Sequence, residues 1–464
     1  MKLPFFALLA LLPIAQASAD SSFSEQDLKV AKQAIARAQA SDLAYDLVAS
    51  LTSEVGPRPA GSANDAKAVA WGQAKLATLG FDRVWIEPVK VDGWARISER
   101  AEIVAPYPQV MAVTALGNSI STPDAGINAE IAYYENLEQL KNDTSDRAKG
   151  RIAFVDSVFV RSRDGRGYGK AVPTRFAGAT EAGKHGAIAL LIRSIGTDHD
   201  RLAHTGSMRY DEKAAAPIPA AAVSNPDADM IVRQLKSGKP VRVALTLKNE
   251  FKSGLQSHNV LAEIRGSVWP EQVIAIGGHL DSWDLGTGAI DDGAGIAITV
   301  AALKMIQESG VRPKRTIRVV MFANEENGID GANAYAAAHG KEKHQLIGES
   351  DLGSGKVYQI STNVREAALP ALRDIAAVIA PLGIELGDNS AGGGADLGPL
   401  IRQYSHPSVA LAQDASEYFD IHHTANDTLD KINPATLKQN VAAWSALIWL
   451  AAQADVEFGP SLKK

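Results

Sequence analysis

Five short stretches of the chain carry side chains that could hold a metal and move a proton. They are His279-Leu280-Asp281, Gly288-Ala289-Ile290-Asp291-Asp292-Gly293, Asn324-Glu325-Glu326-Asn327-Gly328, Glu349-Ser350-Asp351 and Ile421-His422-His423-Thr424-Ala425-Asn426-Asp427-Thr428. The first follows an apolar run over Gln272–Gly277 and the third follows one over Thr316–Ala323, so both sit at strand ends. One acidic pair at a strand end is usually a solvated turn. Several on successive strand ends of one sheet form a cluster, and clustered carboxylates raise one another's pKa unless a cation compensates. The chain has no cysteine, so a metal here is bound by His, Asp and Glu, a donor set that suits zinc in a catalytic role. His279 and Asp281 lie two apart and share a face in extended backbone, as a metal ligand and the carboxylate orienting its ring would. Glu325 and Glu326 are adjacent and point apart, so one can bind metal while the other meets a metal-bound water. The HExxH zinc helix and the GxSxG serine elbow are both absent.

The elements around these stretches divide the 464 residues into more than one unit. Apolar spacing predicts a helix over 24–55, a tight loop at Gly56-Pro57-Arg58-Pro59-Ala60-Gly61-Ser62, a helix capped by Asn64 and ending near Gly80, and a strand over Val84–Val91. A second unit spans Asp124–Lys252, with short buried strands at Arg151–Asp156 and Ala187–Ile192, a small-residue helix over Ala177–Gly186, and β segments over Pro217–Val223 and Val241–Leu247. Its Gly165–Lys170 run matches neither glycine-rich phosphate motif and reads as a surface loop. From Asn259 onward, strands at Val260–Ile264, Gln272–Gly277, Thr316–Ala323, Val357–Ile360 and Ser408–Leu411 alternate with helices at Gly293–Gln307, Gly331–His339, Glu366–Ala380 and Pro434–Ala454. That alternation implies an α/β sheet covered on both faces, with its active site at the carboxyl ends of the strands.

Composition narrows the function classes. The net charge of −6 offers no positive field for nucleic acid, and the absence of cysteine excludes thiol catalysis, iron–sulfur clusters and disulfides. Met1-Lys2, an apolar run from Leu3 to Ala15 and Ala17-Ser18-Ala19 form a secretory signal peptide over residues 1–19. No other run is long enough to span a membrane, so the expected mature protein is soluble and is secreted or periplasmic.

With these motifs in their order, from Gly56-Pro57-Arg58-Pro59-Ala60-Gly61-Ser62 through Gly278–Asp284, Asp291-Asp292-Gly293, Asn324-Glu325-Glu326 and His422-His423, the sequence resembles the co-catalytic di-zinc exopeptidases. That family includes bacterial leucyl aminopeptidases and plasma glutamate carboxypeptidase, and the resemblance is strongest to its carboxypeptidase Q branch. It implies a zinc-exopeptidase-like α/β sandwich, a mixed central sheet flanked by helices, in two parts, 20–123 and 253–464, around an inserted β-rich protease-associated domain at 124–252. It implies two zinc ions bridged by Asp291. His279 and Asp351 would complete one, and Glu326 and His423 the other, His423 being chosen over His422 by the family's His-Thr pattern. Glu325 would be the general acid/base acting on a metal-bridged hydroxide, Asp281 would orient His279, and a cis peptide would follow Asp291. The implied activity is hydrolysis of short peptides with a free N-terminus, as dipeptides or from the N-terminal residue, with no nucleic-acid or membrane partner; a homodimer is compatible with it.

Other readings attach to the same residues. A non-catalytic binding module of this fold would have lost ligands, whereas all five positions hold competent ones. A zinc glutaminyl cyclase would lack the insert. Trp283 could wall the substrate pocket or simply pack, Asp427 could anchor the His423 loop, and Asp396 could tune the same region. His204, in its Thr205-Gly206 context, is a candidate to reach the active-site mouth from the insert. His185, His199, His258, His339, His344 and His406 read as surface or hydrogen-bonded residues.

Overall fold

The computed structural model describes residues 21–460, so the expected signal peptide lies outside the described residues. The chain begins with α1 (Glu25–Ala40), α2 (Leu43–Glu54) and α3 (Ala63–Leu79), then β1 (Arg83–Ala105), β2 (Gln109–Met111), β3 (Val113–Ala115) and β4 (Ile127–Tyr134). Next come α4 (Leu137–Lys141), β5 (Ile152–Val155), α5 (Tyr168–Lys184), β6 (Ala189–Arg193), β7 (Ala220–Val223), α6 (Asn225–Leu235) and β8 (Arg242–Ile264). Then follow β9 (Trp269–His279), α7 (Ala294–Gln307), β10 (Arg315–Phe322), α8 (Asp330–His339), β11 (Lys343–Glu349), β12 (Val357–Asn363) and α9 (Leu369–Ile379). The last elements are β13 (Glu385–Leu386), α10 (Gly398–Tyr404), β14 (Ser408–Gln413), α11 (Tyr418–Ile421) and α12 (Pro434–Gln453).

The strands form one continuous mixed sheet in the order β13-β12-β14-β11-β9-β10-β8-β4-β5-β6-β7-β3. Its centre, β11-β9-β10, is parallel, with β8 antiparallel on one side and β12 antiparallel to β14 on the other. Helices cover both faces. Ile274, Ile276, Ile317, Val319 and Met321 pack with α1, α2, α7 and α12, while the alternate residues Val273, Ala275, Val320 and Phe322 pack with α8 and α10. This period of two on a sheet buried on both sides explains why the strands read as unbroken apolar runs.

Several expectations need correction. The helix over 24–55 is two helices. Ser41 turns extended (φ −91°, ψ 140°) and its hydroxyl accepts the Leu43 N–H at 3.2 Å, so side-chain bonding to the backbone wins over helix continuation there. Ser62, not Asn64, caps α3, and Asn64 instead donates to the Pro57 carbonyl at 2.8 Å. The end of the Gly165–Lys170 run is the first turn of α5, not a loop. The runs at Val241–Leu247 and Val260–Ile264 are the two ends of one strand, β8, whose exposed polar middle hides its continuity. β1 holds β8 together in antiparallel register from Arg83 opposite Glu263 to Ala105 opposite Arg242. β8 thereby ties the central sheet to β4–β7, whose Ile152, Phe154, Leu191, Ala221 and Val223 build a second core with α6. Among the described residues no helix is long and apolar enough to cross a membrane.

On the α8 face a half-buried charge cluster ties α8 to β1, β8 and β10. His339 reaches Glu87 of β1 at 2.8 Å through Nε2 and Glu342 at 2.7 Å through Nδ1, while Arg318 of β10 pairs with Glu342 and Glu263. Burial pulls the His339 imidazole down, but the two carboxylates raise it to about 9. A pKa raised on folding gives stability that is whole below the ordinary value near 6.5 and lost as pH climbs through about 9. Thermal melts across that window should show the loss in the wild type and a flatter profile in His339→Gln, and parallel profiles for the two proteins would contradict the clamp.

Candidate metal centre

Three adjacent strands deliver three of the acidic stretches. His279, the last residue of β9, lies opposite Phe322 at the end of β10, and Glu349, the last residue of β11, lies opposite Gly277. Parallel neighbours about 4.8 Å apart that end at one level bring Glu325, Glu326 and Asp351 beside His279. Asp291 and Asp292 sit just before the amino end of α7, where the helix favours negative charge. His423 arrives on the loop after α11.

These residues form two nitrogen–oxygen triads that share one carboxylate. His279 Nε2 lies 3.1 Å from Asp291 Oδ1 and 3.5 Å from Asp351 Oδ1. His423 Nε2 lies 3.3 Å from Asp291 Oδ2 and 3.1 Å from Glu326 Oε2. Zinc with ligands at about 2.0–2.1 Å in a tetrahedron keeps neighbouring ligands about 3.3–3.4 Å apart, so these spacings are those of atoms around a common centre. The other ring nitrogens face carbonyls, His279 Nδ1 that of Asp281 at 3.0 Å and His423 Nδ1 that of Thr205 at 3.1 Å. Each Nδ1 therefore carries a proton, and each ring aims its Nε2 at carboxylate oxygens. Lone pair against anion is repulsive unless a second proton or a cation lies between them. Asp291 Oδ2, Glu326 Oε1 and Asp351 Oδ1 are buried with no hydrogen bond. The donor set thus fits zinc.

Neighbouring acids differ in this respect. Asp292 spends one oxygen on the His279 N–H (3.1 Å) and the other on that of Gly295 (3.0 Å), so it braces the backbone. A Cβ on Gly295 would lie 1.7 Å from the Ser350 carbonyl and within 2.6 Å of both Asp292 oxygens, so only glycine fits there. The Asp281 carboxylate accepts the N–H groups of Glu325 (3.0 Å) and Glu326 (3.3 Å) and stands 3.8 Å from His279 Nδ1. It is the main-chain carbonyl of Asp281 that orients His279, and the carboxylate fixes the turn that splays the two glutamates. Glu325 is partly exposed and its side chain makes no hydrogen bond, in contrast to Glu326 beside His423. The Asp291–Asp292 peptide is cis.

Asp427 accepts the Ile290 N–H at 2.7 Å, so it pins the Asp291 turn to the His423 loop, and burial raises its pKa to about 7. Asp396 is fully buried with both oxygens unbonded, and its N–H donates to Glu349 at 3.0 Å. The Trp283 ring lies 5.7 Å from that of His423, edge-on, so it walls the second triad. His422 comes within reach of Asp291 and His423, but its ring stacks on that of His423 at 3.6 Å and packs against Tyr168, Tyr418 and Phe419. His204 is buried between the Asp198 carboxylate and the His422 carbonyl and so stands behind the site, not at its mouth.

Arg58 was legible only as part of a loop. Its guanidinium is fully buried and donates to the carbonyls of Leu280, Thr287 and Gly288, which fixes the two segments that carry His279 and Asp291. An arginine between two prolines gave no sequence signal of that role.

Burial dominates the electrostatics. It raises the Glu325 carboxyl well above the ordinary range, aided by Asp351 and Glu326 against the pull of His279. Burial alone would lower His279, but Asp351 and Asp291 lift it well above its usual value. His423 is lifted likewise by Glu326 and Asp291. Burial raises Asp291, and its contacts with His279 and His423 outweigh that and hold it well below the carboxylate range.

The Peptidase family M28 model matches residues 259–448. Carboxypeptidase Q from Bos taurus is 34% identical over 419 residues, 90% of this chain and 87% of that protein. A solved peptidase M28 precursor from Shewanella amazonensis SB2B superposes with a TM-score of 0.93 at 49% identity, over 95% of this chain and 99% of that one. A zinc aminopeptidase from Bacillus subtilis shares the fold at a TM-score of 0.60 and 18% identity, over 88% of this chain and 94% of that one.

Protons and a cation compete for His279 and His423. Zinc added to chelator-stripped protein should therefore release protons, and its apparent affinity should rise from about pH 6 to about pH 8. Calorimetric titration in buffers of different ionisation heat counts the protons, and a binding heat independent of buffer would contradict this picture.

Proposed function

The chain belongs to peptidase family M28 and is a metallo-exopeptidase, and we propose that it is an exported di-zinc enzyme that removes N-terminal residues from short peptides, dipeptides among them. The two triads sharing Asp291, with every nitrogen–oxygen contact at 3.1–3.5 Å, carry this reading. Asp291 would be shared by both positions, with His279 and Asp351 completing the first and Glu326 and His423 the second. The chemistry supplied by bound zinc is polarisation of the scissile carbonyl and acidification of a water.

The remaining work falls to the chain's own groups. Glu325, unbonded and partly exposed, accepts the proton of the attacking water and returns it to the leaving nitrogen, and its raised pKa suits a shuttle near neutrality. Asp281 holds the Glu325–Glu326 turn so that one carboxylate faces the reaction while the other faces His423. The carboxylate-rich site takes the free α-ammonium of the substrate, which makes the enzyme an exopeptidase. Residues 124–252 form a protease-associated insert that packs over the His423 side and limits substrate length. The basic start, apolar run and Ala17-Ser18-Ala19 support export through cleavage of residues 1–19.

Glu325→Gln keeps size and hydrogen bonding but cannot take the proton, so kcat should fall about 10²–10⁴-fold with zinc content near wild type. Glu326→Ala removes an anionic ligand and should lower zinc per chain together with activity. Zinc loss in Glu325→Gln with full occupancy in Glu326→Ala would reverse the two roles, and activity in both would refute them. A digest of a graded peptide library, read by mass spectrometry with free and acetylated N-termini, tests the exopeptidase reading, for which acetylated peptides should persist.

A further inference from the structure

The two triads are built from different parts of the chain. His279, Asp291 and Asp351 are held chiefly by the central sheet, the Arg58 loop and Asp292, with Asp427 accepting the Ile290 N–H beside Asp291, and His279 Nδ1 is fixed by its own neighbour, the Asp281 carbonyl. His423 is held from elsewhere. Its φ is +63°, in the left-handed region that a side chain other than glycine's enters only when its surroundings hold it there. Residues 168–207 supply the hydrogen bonds to its carbonyl and to its Nδ1.

Thr205 grips His423 twice. Its N–H donates to the His423 carbonyl at 3.1 Å, and its own carbonyl accepts from His423 Nδ1 at 3.1 Å. Next to it, His204 spans from the His422 carbonyl (2.8 Å) to Asp198 (2.7 Å), and its side chain is fully buried. Arg175 of α5 donates to the Ser207 carbonyl at 3.1 Å and to the Tyr168 hydroxyl at 3.0 Å. Its Nη1 lies 3.5 Å from His423 Nδ1, a donor facing a donor, so it sets position and makes no bond there. The guanidinium occupies the place a Cβ on Gly206 (φ +132°) would take, 2.4 Å from Cζ, which is why this turn can close over it. The Tyr168 ring stacks on Phe419 at 4.9 Å and meets His422 edge-on at 5.3 Å.

We infer that residues 168–207 are a brace for one metal position, with His204 and Arg175 as positioning residues and the Thr205 carbonyl fixing the His423 ring, so that the Glu326–His423 position forms only with this segment docked while the His279–Asp351 position does not depend on it. The inference rests on the two-metal reading proposed above. A carbonyl or carboxylate behind a ligating histidine typically governs metal affinity about 10- to 100-fold. Here that lever lies about 70 residues or more from the nearest residue of the central metal-binding motifs.

Zinc titration of the chelator-stripped full chain by calorimetry, with circular dichroism to check folding, tests this. Wild type should take up two equivalents. In His204→Ala one equivalent should weaken about 10- to 100-fold while the other stays within about twofold. His204→Asn, whose amide can still donate to the His422 carbonyl from the place of Nδ1, should recover most of the loss. Tyr168→Phe, which keeps the ring and removes the hydroxyl that holds Arg175, should weaken the same equivalent to a smaller degree, and it decides the matter if His204→Ala does not fold. Fewer than two equivalents in wild type would overturn the two-metal reading and the inference with it. Two equivalents in wild type, with both weakened alike or neither weakened in the variants, would overturn the inference alone.

Discussion

Repulsion among buried carboxylates is the constraint on which the rest of this structure depends. Asp281, Asp291, Asp292, Asp396 and Asp427 are each no more than 4% exposed, and Glu326 is close behind at 7%. Two like charges 4 Å apart cost about 4 kcal/mol at an effective dielectric of 20. Such a set persists only if each member has a separate answer. Asp281 and Asp292 are answered by backbone N–H groups, Asp427 by the Ile290 N–H, and the group as a whole by the Arg58 cation and the amino end of α7. Asp291, Glu326, Asp351 and Asp396 are left with oxygens that make no hydrogen bond; those of Asp291 (Oδ2) and Asp351 (Oδ1) are aimed at the imidazoles, and Glu326 turns its other oxygen, Oε2, to His423.

Rigid support follows from the same constraint, because repelling groups drift apart unless their backbones are held. β9 and β10 are buried on both faces where they approach the site, and α7 behind the Asp291 turn is buried nearly all round. The loops are pinned individually. Arg58 spans three carbonyls, Asp292 joins the β9 end to the start of α7, and Asp427 joins the turn at Ile290 to the His423 loop. The helices and the apolar faces of the sheet supply stability that these polar junctions alone would not.

How much of this was legible in the sequence depended on whether a side chain or a main-chain group acts. His279, Asp291, Glu325, Glu326, Asp351 and His423 announce themselves through residue type and order, and the structure brings them together. Apolar runs gave β9, β10, β12 and β14 to within a few residues but missed β11, whose polar start Lys343-His344-Gln345 leaves little apolar run to read. What failed to show was carried by groups without a sequence signature. The Asp281 and Thr205 carbonyls orient the two imidazoles, and any residue has a carbonyl. β8 escaped because its middle is exposed and polar and is held by pairing with a strand some 150 residues earlier, which no local pattern reports. The break between α1 and α2 was signalled by Ser41-Asp42, two residues that favour helix ends, and apolar spacing on both sides outweighed them.

The exposure of the cluster sets the direction from which a peptide approaches. The His279 side chain is 1% exposed and those of Glu326 and His423 are 6%, whereas the Asp351 side chain is 21% exposed. Glu325 is partly exposed as well. The cluster is therefore open along the Asp351–Glu325 side. It is closed on the His423 side by Trp283, His422 and the turn at Thr205. A peptide entering from the open side meets Glu325 first and is stopped by the wall behind His423. A site bounded in this way favours removal of terminal residues over cleavage within a long chain, and the bound comes from Trp283, His422 and the turn at Thr205 packed around His423.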